Sequence, residues 1–242
     1  MKAIIYFSIL MMLFASITFS QSTLDYQTGT GLIIQPGADV CADDVIINGT
    51  FSGGGTICGG TAYVLNLTAV IQGFYDASSN LMISDTVSVY LRNATSPFVK
   101  IDSAKSVLSP NGEGSFIFFN VTNGTNYYIV LTHRNSIETW SSSGNAFVSG
   151  SLIYNFRPAA TTAYGSNEIR IDNDPVTYAI YSGDVNQDGN VEAADLALID
   201  NDAFNFVTGY VSTDITGDGI VDASDGAIAD NNAFNFVSVA RP

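Results

Sequence analysis

The chain reads as mostly β with a small α module at its C-terminus, a β-sandwich followed by a duplicated loop–helix domain. Three observations predict this. Between Tyr63 and Phe156 apolar and polar residues alternate with the period of half-buried strands. Gly, Pro, Asn and Asp interrupt those runs where the backbone must reverse. A block of acidic residues with fixed spacing then occurs twice, at Asp184 and again at Asp214.

Residues 1–20, "MKAIIYFSILMMLFASITFS", join Lys2 to a nearly unbroken apolar run and end in small residues, Thr18 and Ser20. This is the pattern of a signal peptide cleaved before Gln21. No second apolar run of spanning length follows, so the mature chain is expected to be secreted, extracellular or at the cell surface, without membrane insertion. Residues 21–60 are Gly-rich, with "GLIIQ" and "DVIING" as strand candidates. Cys41 and Cys58 allow one intramolecular disulfide, which export favours. Closing that loop is worth about 3 kcal/mol in the chain-entropy model. Two thiols with only the distant His133 make a poor metal set.

Residues 61–160 carry the alternation: "YVLNLTAVIQGFY", "DTVSVYLRN", "GSFIFFNVT", "NYYIVLTHR" and "FVSGSLIYNF", with turns at "DASSN", "SPNGEG" and "TNGTN". About seven strands in a sandwich follow. The order "VSVYLRN" then "KSVLSPNGEGSFIFFNVTNGTNYYIVLTHRN" resembles the prealbumin-like sandwiches found beside carboxypeptidases and in bacterial surface adhesins. Residues 161–181 are expected to be a linker ending in a short strand, "VTYAIYSGD". Residues 182–242 form the acidic module.

The formal net charge is −15, and beyond Ser182 the only basic residue is Arg241. Such a surface repels nucleic acid and anionic membranes and leaves divalent cations as the natural counter-charge. The spacing says where they would sit. A calcium ion takes six to eight oxygens, and a twelve-residue loop supplies them from positions 1, 3, 5, 7, 9 and 12. In the first loop these are Asp184, Asn186, Asp188, the Asn190 carbonyl, Glu192 and Asp195, with Gly189 at the sharp turn. In the second they are Asp214, Thr216, Asp218, the Ile220 carbonyl, Asp222 and Asp225, with Gly219 at the turn. Carboxylates folded this close repel one another unless protonated or shared with a cation, so two calcium ions are expected. Val191 and Val221, at position 8, are expected to pack the loops onto a common core.

The segment after each loop repeats too, "AADLALIDNDAFNFVTGY" against "ASDGAIADNNAFNFVSVA". Leu198 matches Ile228, Ala203 Ala233, Phe204 Phe234, Phe206 Phe236 and Val207 Val237. Each copy is expected to be a short helix that starts inside its loop and buries one face against the other. The polar runs Asp200–Asp202 and Asp230–Asn232 are either a solvated face or a contact surface.

These residues resemble a type I dockerin, a bacterial module of two calcium loop-helix repeats, over residues 182–242. Asp195 and Asp225 match its aspartate at position 12. The resemblance implies calcium at the positions named and a cohesin-like protein, or another extracellular scaffold, as partner. Ala193–Ala194 and Ala223–Ser224 match where dockerins read that partner. The basic residues dockerins commonly carry on these helices are replaced here by Asp and Asn.

Catalytic patterns are not evident. Asp76, Asp85, Asp102, Glu113 and Glu138 offer no pair flanking a sugar, His133 beside Arg134 and Asn135 ends a strand, and no GxSxG motif occurs. Trp140, with Tyr127 and Tyr128, is a candidate sugar-stacking platform or core packing. The function expected is a secreted non-catalytic protein whose module docks a sandwich to an extracellular assembly. The alternative is a component of polysaccharide degradation with a possible polysaccharide ligand.

Overall fold

The computed structural model describes residues 62–242 throughout and, before them, only the backbone of six short strands. These are β1 (Thr23–Tyr26), β2 (Gly31–Ile33), β3 (Asp39–Val40), β4 (Asp44–Ile47), β5 (Thr50–Ser52) and β6 (Thr56–Ile57), paired in parallel as β1–β4, β2–β5 and β3–β6. The signal peptide and the Cys41–Cys58 pair lie outside the described residues.

From Ala62 onward the chain is mostly β-sheet with two α-helices. β7 (Tyr63–Thr68) leads through a 3-10 turn into the small hairpin of β8 (Tyr75–Asp76) and β9 (Leu81–Met82). Then come β10 (Asp85–Asn93), β11 (Lys100–Leu108), β12 (Glu113–Phe118), β13 (Asn126–His133), β14 (Ser136–Trp140), β15 (Asn145–Ala146) and β16 (Ser151–Asn155). One sheet runs β11-β10-β13-β14 with β15 on the end of β13, and the other runs β12-β7-β16. The alternation explains why the sheets face each other. Val87, Val89 and Leu91 of β10 point inward beside Ile129 and Leu131 of β13, and meet Leu65, Leu67, Phe116 and Phe118 of the opposite sheet in one buried cluster.

Two strands escape the alternation. In β11 the inward residues include the small Ala104 and Ser106, so hydrophobicity hardly oscillates. β14 is buried on both faces, because its outer side is covered by the C-terminal module: Ile137 belongs to that module's core.

Residues 161–181 hold more structure than a linker. Two 3-10 turns precede the hairpin of β17 (Ile169–Asn173) and β18 (Val176–Ala179). Ala163, Ala179 and Ile180 are part of the sandwich core. Glu168 is buried with Thr162 Oγ1 donating to it at 3.0 Å, and burial pushes its pKa up to about 8. Ile180 then bonds Val70 at 2.9 Å and receives the amide of Gln72 at 3.1 Å. The path into the acidic module is therefore fastened to the sandwich by backbone ladder bonds.

The module itself contains α1 (Ala193–Phe204) and α2 (Ala223–Phe234), each beginning at position 10 of its loop. Asp195 and Asp225 stand at the third helical position and accept the amides of Glu192 and Asp222 at 3.0 and 2.9 Å, which fixes both helix starts. Each helix ends at an Asn, followed by Phe206 (φ 55°) or Phe236 (φ 54°) in the left-handed region. The amides of Phe206 and Val207 return to the carbonyls of Ala203 and Asp202, and those of Phe236 and Val237 to Ala233 and Asn232. This is a Schellman ending, where the left-handed position normally takes Gly. A side chain there costs about 1 kcal/mol.

Candidate metal loops and their seat on the sandwich

In each loop the position-12 aspartate is the hub. Asp195 Oδ1 accepts the amides of Val185 and Asn186 at 2.9 and 3.2 Å, and Asp225 Oδ1 those of Ile215 and Thr216 at 2.7 and 2.8 Å. Both aspartates are fully buried, at 0% exposure. Position 1 closes the turn from the other side. Asp184 accepts Asp188 N at 3.1 Å and Gly189 N at 3.2 Å, while Asp214 accepts Gly217 N at 2.8 Å and Gly219 N at 3.3 Å. The close bend is possible because Gly189 and Gly219 have φ of 94° and 84°.

The remaining predicted ligands are placed as follows. Asp188 takes the Asn186 side-chain amide at 3.1 Å and the Asn190 backbone amide at 3.0 Å, and Asp218 takes the Ile220 amide at 2.9 Å. Thr216 turns its hydroxyl to Asp225 at 3.1 Å. Asp222 is turned away, accepting the amide and hydroxyl of Ser224 at 2.7 and 2.6 Å, and Glu192 is exposed at its helix start. Among the described residues no three His, Cys, Asp or Glu side chains form a ready metal cluster. The ligand set is mixed by design of the loop: carboxylates, one amide or hydroxyl, and one main-chain carbonyl.

That carbonyl is set by a cross-pairing of the repeats. Val191 N bonds Val237 O at 2.9 Å and Val239 N bonds Gly189 O at 2.8 Å, while Val221 N bonds Val207 O at 3.0 Å and Gly209 N bonds Gly219 O at 2.8 Å. Asn190 and Ile220 are thus the non-hydrogen-bonded members of short antiparallel bridges. Their own carbonyls point away from the partner strand and toward their loops. The same bridges set the end of each helix beside the start of the other. Val191, Val221, Ile199, Ala229 and Val237 are buried in one cluster beneath them.

The electrostatics of the two loops differ. Asp184 is 2% exposed, and among the described residues the first loop's acids have no ion pair with a Lys, Arg or His. Burial, with the charges of Asp195 and Asp188 adding to it, pushes the Asp184 pKa up to about 6. Two buried carboxylates, Asp184 and Asp195, without a counter-charge are the arrangement a divalent cation resolves, and an all-oxygen donor set is the kind calcium takes. Burial also raises Asp214, but there the Arg134 guanidinium opposes it.

Arg134 comes from the sandwich. Its Nε donates to Asp85 Oδ2 at 3.0 Å, its Nη1 to the carbonyls of Val211 and Asp214, and its Nη2 lies 3.5 Å from Asp214 Oδ2. The guanidinium sits over the rings of Phe74 and Tyr210, 5.2 and 4.4 Å from their centroids. Asn135 donates to Asp214 O at 2.8 Å. Burial alone would raise Asp85, yet hydrogen bonds from His133, Tyr210 and Arg134 outweigh it and hold that carboxyl below its usual range. His133, buried between Asp85 and Asn135, is part of this joint. On the other side Asn232 Nδ2 donates to Gln72 Oε1 and Ser182 O, both at 2.7 Å. A Cβ on Gly73 would come within 2.2 Å of Ile215 O, so the sandwich backbone touches the second loop directly.

Sequence reasoning noticed His133, Arg134 and Asn135 as a polar run but not their role. Gln72 and Asn232 gave no signal beyond Asn232 replacing the Asp of the first repeat. That third position of each polar run is structural: Asn232 is buried, and Asp202 accepts Thr213 Oγ1 at 2.7 Å. Asp200, Asn201, Asp230 and Asn231 face solvent.

Trp140 is only 4% exposed, with Arg92 over its ring and Phe98 and Tyr128 at its edges, so its face is closed to a sugar. Tyr127 is buried as well. The repeated phenylalanines do not pack between the helices. Phe204, Phe206, Phe234 and Phe236 are 82, 86, 80 and 89% exposed: Phe204 and Phe234 lie on the outer face of their helices, and the Schellman endings swing Phe206 and Phe236 outward while Val207 and Val237 turn in.

Comparisons with known proteins add little. No family model matches the chain, and no curated protein matches it. Among solved structures, the chain is similar to a chain of a mutant type II cohesin–X-dockerin complex from Acetivibrio cellulolyticus. That match has 17% identity, covers 73% of this chain and 100% of the other, and has a TM-score of 0.39, which carries no argument about fold or function. No helix among the described residues is long and apolar enough to cross a membrane.

Proposed function

We propose that residues 182–242 form a dockerin-like module that binds two calcium ions and docks the sandwich, as a non-catalytic secreted protein, to an extracellular or cell-surface assembly. The supporting observation is the buried pair Asp184 and Asp195, which no Lys, Arg or His among the described residues neutralises, repeated in the second loop by Asp214 and Asp225. Asp184, Asn186, Asp188 and Asp195, with the Asn190 carbonyl and Glu192, hold the first ion. Asp214, Thr216, Asp218 and Asp225, with the Ile220 carbonyl, hold the second, and Asp222 joins them on leaving Ser224. The ions neutralise the loops and fix the helix starts. The partner is a cohesin-like protein or another scaffold, and the polysaccharide alternative loses its stacking residue with Trp140 buried.

Titration of the chelated full chain with calcium, followed by calorimetry, tests this. Two ions per chain are expected, with helical circular dichroism and protease resistance of the module rising together. No heat and an unchanged digestion pattern would refute it.

A further inference from the structure

We propose that Phe204 with Phe206, and Phe234 with Phe236, form two equivalent docking patches, one per repeat, for a protein partner that presents apolar clefts flanked by lysine or arginine side chains. This rests on the docking reading above and gives its partner a chemistry.

Four phenylalanines this exposed on one small acidic module are not explained by the fold. Phe206 and Phe236 carry a bulky side chain where a glycine would relieve the backbone, and both repeats do so in the same "AFNFV" segment. The strained ending is what keeps the rings out of the core. Each repeat thus carries its own exposed apolar patch, Phe204 with Phe206 and Phe234 with Phe236, one at each end of the helix pair, and exposed apolar patches of this kind mark binding sites.

Charge selects the occupant. Asp200 and Asp230 are exposed and stand four residues before Phe204 and Phe234, so an acid lies beside each ring on the same helix face. Residues 182–242 contain eleven acids and one base, and that base, Arg241, is engaged with Glu138 at 2.8 Å. A second copy of this chain would bring acid against acid. A partner with basic rims meets both the rings and the charge. The cross-pairing adds calcium dependence: Val207, next to Phe206, bonds the second loop, and Val237, next to Phe236, bonds the first.

The test uses the full chain in calcium and a fluorescent amphipathic peptide of alternating Lys and Leu blocks, with its Glu–Leu counterpart as control. Anisotropy is expected to show binding of the Lys–Leu peptide alone. The double variant Phe206→Gly/Phe236→Gly should weaken it at least tenfold while melting no lower than the parent, because the left-handed strain is relieved. Phe204→Ala/Phe234→Ala should weaken it similarly without touching the helix endings. Undiminished affinity in both variants would leave only net charge as the cause and overturn the proposal, as would equal binding of the Glu–Leu peptide. A parent that sediments as a Phe-dependent dimer would point to self-association and overturn it too. Calcium calorimetry on the same samples separates the readings. Two ions bound with Phe-independent peptide binding sinks this inference alone, whereas Phe-dependent binding without calcium uptake sinks the metal reading and supports this one.

Discussion

The first loop, Asp184 to Asp195, and the second, Asp214 to Asp225, share a pattern yet sit in different surroundings. Both close around a buried position-12 aspartate that gathers three amides. Among the described residues, only the second rests on a cation, Arg134, at its position-1 carboxylate and carbonyl. A duplicated motif is therefore not a duplicated site: the sandwich lends a cation to the second loop, whereas its bonds to the first, from Gln187 Nε2 to Ser136 O and from Gly183 N to Asn135 O, carry no charge.

The comparison can be sharpened or broken by substitution. With calcium removed, Asp195→Ala takes a buried acceptor from three amides and is expected to cost about 3–5 kcal/mol of module stability. Asp225→Ala should cost roughly 1–2 kcal/mol less, because Arg134 and Asn135 still hold Asp214. Urea melts followed by module-specific hydrogen exchange read the difference, and equal losses would remove the asymmetry.

Arg134→Met has the next largest effect, about 2–3 kcal/mol in the chelated protein, since it breaks a partly buried charge pair. In the calcium titration the parent should show a tighter first site and a weaker second, with the guanidinium opposing the incoming cation by about 1 kcal/mol. The variant should bring the two affinities together. A ratio that stays fixed would show that Arg134 serves only to join the domains.

The smallest effect is in pH. Asp184 is raised from 3.8 to about 6, so in chelated protein the folded loop favours the protonated acid. Its contribution is fully present below pH 4 and is lost as pH rises through 6. The shift bounds the effect at about 3 kcal/mol. Asp184→Asn should flatten that slope. With calcium bound the slope reverses, because acid then competes with the ion, and melts at pH 5 and pH 7 with and without chelator distinguish the two signs.

Much of this was legible beforehand. Period-two alternation exposed β7, β10, β12, β13 and β16, since each has one wet face. It could not expose β14, dry on both sides because a later part of the chain covers it, nor β11, whose inward Ala104 and Ser106 are small or polar. The two tight turns and helix starts were readable from spacing, because the bonds that close them, from nearby amides to Asp184, Asp195, Asp214 and Asp225, are local. The joint between sandwich and module was not: Gln72, Arg134 and Asn232 are far apart in sequence and meet only in the fold. The exposure of Phe204 and Phe234 was not legible for a related reason. Hydrophobicity marks residues that leave water, and does not say whether they leave it in this molecule or against another.

The crossed bridges have a last consequence. Val191 with Val237 and Val221 with Val207 tie the front of each repeat to the back of the other. One peptide-bond cleavage near Ser212 would give two fragments that remain interlocked as a reconstituted whole, whereas either fragment made separately would lack half of its own seams.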